Sequence, residues 1–269
     1  MSAAAPAPAP KLAATILLVR DGASGLEVFM VQRHHQIDFA TGAMVFPGGK
    51  IEASDADPHL RERCAGAAGL DDDTLAVRVG AIRETFEECG VLLARPRGSQ
   101  SLVGAERLRG IEERYRERLN TDEIGLVDVV LAEDLELACD LLVPYAHWVT
   151  PEMVPKRFDT YFFLVAAPPD QLALHDGGES VDSVWTSAQN ALAEAESGRR
   201  TIIFPTLMNL NLLGLANDVA DALARTRARP VVTVRPGFRR APDGKPELLI
   251  PPEAGYPPLP PTLAKLRAM

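Results

Sequence analysis

From Ala13 to Arg20 the chain is a run of apolar and β-branched residues, and Glu27 to Arg33 repeats that character after a turn over Asp21-Gly22 and Gly25. Two such runs around a turn predict a hairpin. Met44-Val45-Phe46 is a third apolar run, stopped by Pro47-Gly48-Gly49. From about Leu75 to Cys89 the apolar spacing becomes helical, and Gly90 stands where a helix ends in a left-handed residue. Residues 102–119 are charged and helical in pattern, and 122–140 continue as a helix or helix pair. Ala146–Val149 and Phe158–Ala166 read as strands, the second rich in aromatic and β-branched residues over Thr160–Val165. Val181–Trp185 is a further short strand, and 187–197 and 206–225 are helical. Val231–Val234 and Glu247–Ile250, placed around Asp243-Gly244, predict a late hairpin. Alternating strands and helices of this kind predict an α/β or α+β fold, a mixed sheet with helices on both sides.

The division that follows has three parts. Residues 1–10 are a disordered Pro/Ala tail. Residues 11–228 form one domain with insertions at about 55–74 and 100–145. Residues 229–269 are a Pro-rich C-terminal extension carrying the hairpin.

Composition narrows the classes. At 269 residues, 46% hydrophobic and 24% charged, the chain has the make-up of a globular protein able to bury a sizeable core. A net charge of −9 argues against a long nucleic-acid partner, which needs a basic face. No apolar run is long enough to cross a membrane. Cys64, Cys89 and Cys139 lack metal-ligand spacing and read as reduced thiols, so a cytoplasmic location is expected.

The chemistry gathers at Arg83-Glu84-Thr85-Phe86-Glu87-Glu88-Cys89-Gly90-Val91. Glu84, Glu87 and Glu88 stand at i, i+3 and i+4, on one helix face. Carboxylates that close repel unless a cation joins them, and oxygen-rich clusters suit Mg²⁺ or Mn²⁺. A solvated acidic face is the competing reading. Upstream, Gly48-Gly49 forms a turn whose backbone can offer a carbonyl to a metal or an N–H to a phosphate.

Together these segments resemble the Nudix hydrolase family, whose signature is G-x5-E-x7-R-E-U-x-E-E-x-G-U, with U aliphatic. Arg83, Glu84, Glu87, Glu88, Gly90 and Val91 match, with Thr85 in an aliphatic place. The first half is anchored by Gly49, but about 20 extra residues separate it from Arg83. The early carboxylate falls on Asp55 counting forward from Gly49 and on Leu75 counting back from Arg83, and stays unassigned. Ala146-His147-Trp148-Val149-Thr150-Pro151 and Lys156-Arg157-Phe158-Asp159-Thr160 resemble a larger Nudix branch that includes coenzyme A diphosphatases. Arg33, Gly42 and Phe46-Pro47-Gly48-Gly49 keep part of that branch's coenzyme A motif, with His34 and Asp38 as departures.

The resemblance implies a mixed sheet between helices with a helical insertion, and metal-dependent hydrolysis of a phosphoanhydride in a nucleoside diphosphate linked to another group. Coenzyme A or acyl-CoA is the first substrate expected, then ADP-ribose or dinucleotides. It implies Glu84, Glu87, Glu88 and Gly49 as Mg²⁺ or Mn²⁺ ligands, with Glu87 and Glu88 the principal pair. Arg83 orients a glutamate, Glu84 serves catalysis, and Glu179 is the candidate general base, with a plain loop carboxylate as the other reading. Arg33, Gly48, Lys50 and Phe158 are the substrate-binding candidates. The alternatives are a non-catalytic Nudix-like nucleotide-binding module and an acidic-helix interaction protein. The helical insertion and the tail are the candidates for a homodimer contact.

Overall fold

The computed structural model describes residues 8–33, 42–171, 180–240 and 246–264. Its elements run β1 (Lys11–Gly22), β2 (Gly25–Arg33), β3 (Ala43–Val45), β4 (Gly48–Lys50), a 3-10 turn at Ala53–Ala56, α1 (Pro58–Arg61), α2 (Asp72–Cys89) and β5 (Ala94–Pro96). A helical stretch follows, α3 (Ala105–Ile111), a π turn at Glu112–Arg116 and α4 (Glu117–Asn120). Then come α5 (Leu126–Ala132), β6 (Leu135–Leu137), β7 (Val143–Val149), β8 (Phe158–Ala166), β9 (Ser180–Thr186) and α6 (Ala188–Glu196). The chain ends in β10 (Thr201–Ile202), α7 (Phe204–Leu213), α8 (Val219–Ala228), β11 (Thr233–Val234), β12 (Gly237–Arg240), β13 (Pro246–Leu249) and α9 (Pro261–Ala264).

The long strand β1 is the axis. Its first half pairs with β4 and its second half with β2, both antiparallel, while β8 runs parallel along its other edge. The sheet continues through β8 to β7 and β11 on one side, and through β2 to β9, β3 and β10 on the other. Residues alternate between the two faces of β1. Ala14, Ile16 and Leu18 join the core under α2 and the 105–132 helices, while Leu17 and Val19 join a second core with α6, α7 and α8. Helices thus cover both faces, as the sequence pattern predicts.

Three expectations are corrected. Residues 122–140 are not continuous helix: α5 ends at Ala132, and Leu135–Leu137 pairs with β5 as a strand. The late hairpin joins Gly237–Arg240 to Pro246–Leu249, while Thr233–Val234 adds to β7 in parallel. The predicted turn at Asp243-Gly244 lies outside the described residues. The predicted 206–225 helix is two helices, because the chain turns after Gly214.

The C-terminal segment closes the second core. Ala254, Leu259 and Leu263 are buried there. Tyr256 Oη donates to Asn209 Oδ1 at 2.7 Å and accepts from Trp148 Nε1 at 2.8 Å. Burial pushes the Tyr256 hydroxyl up to about 12, so it stays a donor at any working pH. Tyr256→Phe leaves two polar groups without this partner and is expected to cost about 1–3 kcal/mol. Urea denaturation checks it, and an unchanged midpoint would show that the clamp contributes nothing.

Candidate active site

The site is assembled where α2 covers the free edge of β4. Ile16 N–H donates to Pro47 C=O, and Ile51 N–H to Leu12 C=O. Antiparallel pairing alternates, so Ala14 and Gly49 between them form a hydrogen-bonded pair. Gly49 therefore commits its backbone groups to β1. In a trans peptide a carbonyl points opposite to the next residue's N–H, which turns the Gly48 and Lys50 carbonyls outward. Side chains of α2 meet that edge. Gly48 N–H donates to Glu88 Oε2 at 2.8 Å, and Arg83 Nη2 donates to the Lys50 carbonyl at 2.8 Å. A Cβ on Gly49 would collide with the Glu84 carboxylate.

Arg83 is only 3% exposed and uses every donor it has. Nε and Nη2 reach the two Asp55 oxygens at 2.9 and 3.1 Å. Nη1 reaches Glu87 Oε2 at 2.7 Å and Glu84 Oε1 at 3.2 Å. Burial alone would lower the Arg83 pKa, but the hydrogen bond to Asp55 and the charges of Asp55, Glu84 and Glu87 outweigh it and raise it.

Asp55 is therefore the carboxylate that the two counts along the sequence left open. It is held by the 3-10 turn, where Glu52 N–H donates to Asp55 Oδ2 at 2.8 Å. The extra residues follow it, as α1 and the loop into α2, so the forward count from Gly49 reaches the right position. Gly80 completes the fit: a Cβ there would stand 2.7 Å from Asp55 Oδ2 and 2.6 Å from Ile51 Cδ1. Neither Gly80 nor the Arg83–Asp55 contact announces itself in the sequence, because the partners are 28 residues apart.

The cluster carries more negative than positive charge: Asp55, Glu84 and Glu87 surround one guanidinium, and Glu88 lies beside them on the Gly48 N–H. Burial raises the Glu87 carboxyl to about 7 against the pull of Arg83, and the Glu52 and Asp55 charges add to the rise. Among the described residues no three His, Cys, Asp or Glu side chains stand as a ready-made ion-binding group. The donor chemistry nevertheless suits a hard divalent cation, since Glu84, Glu88 and the Gly48 carbonyl are oxygens around one edge with charge to neutralise.

Residues 62–213 match the family model of the NUDT19 Nudix domain, more than half of the chain. The chain belongs to the Nudix family. Among curated Nudix relatives, it is similar to the acyl-coenzyme A diphosphatase NUDT19 of Xenopus laevis, 23% identical over 72% of this chain and 61% of that protein. The human acyl-coenzyme A diphosphatase NUDT19 is 28% identical over 63% of this chain and 55% of that protein. The chain thus spans little more than half the length of these two relatives. Among solved structures, a Nudix hydrolase from Alicyclobacillus acidocaldarius is 29% identical, with a TM-score of 0.66, covering 80% of this chain and 96% of that one. The mixed sheet between helices is therefore the Nudix fold.

The structure brings Arg83, Glu84, Glu87, Glu88, Gly48 and Gly49 together and distributes their contacts differently from the sequence reading. Glu84 and Glu88 abut the glycine turn, while Glu87 faces Arg83. The strand pairing turns the Gly48 carbonyl outward beside these carboxylates, while Gly49 spends its own backbone groups on β1. The Lys50 side chain is exposed, and Phe158 pairs with Lys11 across β1 from β4. Arg33 closes β2, but its side chain and all of Glu179 lie outside the described residues. Arg116, which the sequence did not single out, donates from Nε to the Glu87 carbonyl at 3.0 Å.

Two measurements probe this cluster. Asp55→Ala strips the main partner from a buried cation and is expected to cost about 3–5 kcal/mol; a loss below about 1 kcal/mol in urea titration would contradict the geometry. The second uses Glu87, whose pKa is raised from 4.5 to about 7. Between these values the native state holds a proton that the unfolded chain has released, so stability falls as pH rises. Without divalent ions, wild type should lose about 3 kcal/mol relative to Glu87→Gln between pH 4.5 and 7. Parallel pH profiles of the two proteins would refute the shift.

Proposed function

We propose that this chain is a Mg²⁺- or Mn²⁺-dependent pyrophosphohydrolase that cleaves the phosphoanhydride of a nucleoside diphosphate linked to another group. The carrying observation is the buried Asp55–Arg83–Glu84–Glu87–Glu88 cluster set against the outer edge of Gly48. Coenzyme A or an acyl-CoA is the first substrate, on the strength of the similar acyl-coenzyme A diphosphatases. ADP-ribose and dinucleotides come next.

Glu84, Glu88 and the Gly48 carbonyl would hold the cation, with Glu87 beside them. When bound, it supplies charge neutralisation on the phosphate oxygens and a lowered pKa for water. Arg83 works one step back. It holds Glu84 and Glu87 in place and ties α2 to the Lys50 carbonyl, so the carboxylates need no reorganisation during the reaction. Glu179 remains the candidate to take the proton from attacking water. Arg33 and the exposed Lys50 are candidates for phosphate contacts, and Phe158 for stacking. Water attack breaks one P–O–P bond and leaves two phosphate monoesters.

A hydrolysis panel with product analysis tests this reading, comparing coenzyme A, acyl-CoA, ADP-ribose, NADH, diadenosine polyphosphates and nucleoside triphosphates with and without Mg²⁺ or Mn²⁺. Cleavage at the diphosphate of coenzyme A, dependent on the ion, is the expected result. Glu87→Gln and Glu88→Gln should each lower kcat by about 100-fold or more while the protein stays folded. Nucleotide binding with no turnover across the panel would instead establish the non-catalytic module.

A further inference from the structure

The helical stretch from Ala105 to Asn120 contains a π turn, Glu112–Arg116, between α3 and α4. A π turn fits an extra residue into a helix and re-aims the side chains around it, and such turns concentrate at functional sites. This one meets the end of α2. Arg116 Nε donates to the Glu87 carbonyl at 3.0 Å, and Arg116 Nη1 pairs with Glu112 Oε1 at 3.3 Å.

The end of α2 has need of such a partner. The last carbonyls of a helix lack partners within it and concentrate partial negative charge. In α2 that charge adds to the carboxylates of Glu87 and Glu88, and its last turn contains no basic residue. Gly90 closes the helix at φ +70°, and Arg116 Nη1 would stand 3.0 Å from a Cβ there, with Glu112 Oε1 in outright collision. The Glu112–Arg116 pair is therefore seated directly on the closing turn. Both side chains are largely withdrawn from water, at 29% and 19% exposure.

We infer that Arg116 is a positioning residue for the proposed cation site: by holding the Glu87 carbonyl it fixes the turn of α2 that presents Glu87 and Glu88. Glu112 keeps the Arg116 fork in place, and the π turn brings both residues onto the same spot. A loosened turn would let Glu88 leave the Gly48 N–H and would spread the carboxylates. The inference rests on the hydrolase reading given above.

Mn²⁺ titration of the full chain by calorimetry, together with steady-state kinetics on the substrate found by the panel, tests it. Arg116→Ala should weaken Mn²⁺ binding about tenfold and lower kcat by a similar factor with KM within about twofold, because substrate groups are untouched. Arg116→Lys, which keeps the charge and one donor to the carbonyl, should recover most of both losses. Wild-type Mn²⁺ affinity and kcat in Arg116→Ala would overturn the inference, as would a lysine variant no better than alanine. If Arg116→Ala does not fold, Arg116→Lys and Arg116→Gln carry the comparison, and equal Mn²⁺ affinity in the two would overturn it. Wild type that neither binds Mn²⁺ nor turns over any substrate would instead remove the hydrolase reading on which the inference stands.

Discussion

Arg83 is a positive charge almost sealed from water, and five acceptor atoms hold it there: both oxygens of Asp55, one each of Glu84 and Glu87, and the Lys50 carbonyl. Desolvating a guanidinium is unfavourable by several kcal/mol unless its donors are met. Here they are met by three separate pieces of chain: the 3-10 turn, the edge of β4 and α2 itself. The ion pair is thus the joint at which the glycine strand and the helix are locked together. Its charge does not balance. The acidic groups outnumber Arg83, and the unspent negative charge lies next to the Gly48 edge.

The sheet gives that joint its geometry. One face of β1 carries α2, and its paired strand β4 leaves a free edge on which the Gly48 N–H and the Gly48 and Lys50 carbonyls turn outward. Backbone groups on a buried edge need partners, and α2 supplies Glu88 for the N–H and Arg83 for the Lys50 carbonyl. The Gly48 carbonyl remains turned outward beside the carboxylates. On the opposite face α6, α7, α8 and the C-terminal segment fill a second core, held by the Trp148–Tyr256–Asn209 chain of hydrogen bonds.

The acidic helix was legible because its chemistry is local. Glu84, Glu87 and Glu88 share a face by helical period alone, and Gly90 marks the end. The strands that alternate or carry aromatic residues, such as Phe158–Ala166, were legible for the same reason. Leu135–Leu137 was not: three residues hold no period, and only pairing with Ala94–Pro96 makes them a strand. Asp55 was reachable by counting from one side and not from the other, since the extra residues lie between it and the helix. Gly80 and Arg116 left no trace, because one matters only as the absence of a side chain under Asp55 and the other only through the Glu87 carbonyl.

Alone, then, the order of residues determined the family, the alternation of strands and helices, and the positions of Arg83, Glu84, Glu87 and Glu88 on α2. These depend on periodicity and motif, properties that neighbours along a chain possess before it folds. Tertiary structure decided which carboxylate pairs with Arg83, that Gly48 turns its carbonyl outward while Gly49 spends its backbone groups on β1, and that a π turn distant in sequence steadies the end of α2. Those are contacts between segments that only the packed sheet brings within reach, and hydrogen bonds form across a few ångströms of space whatever the separation in sequence.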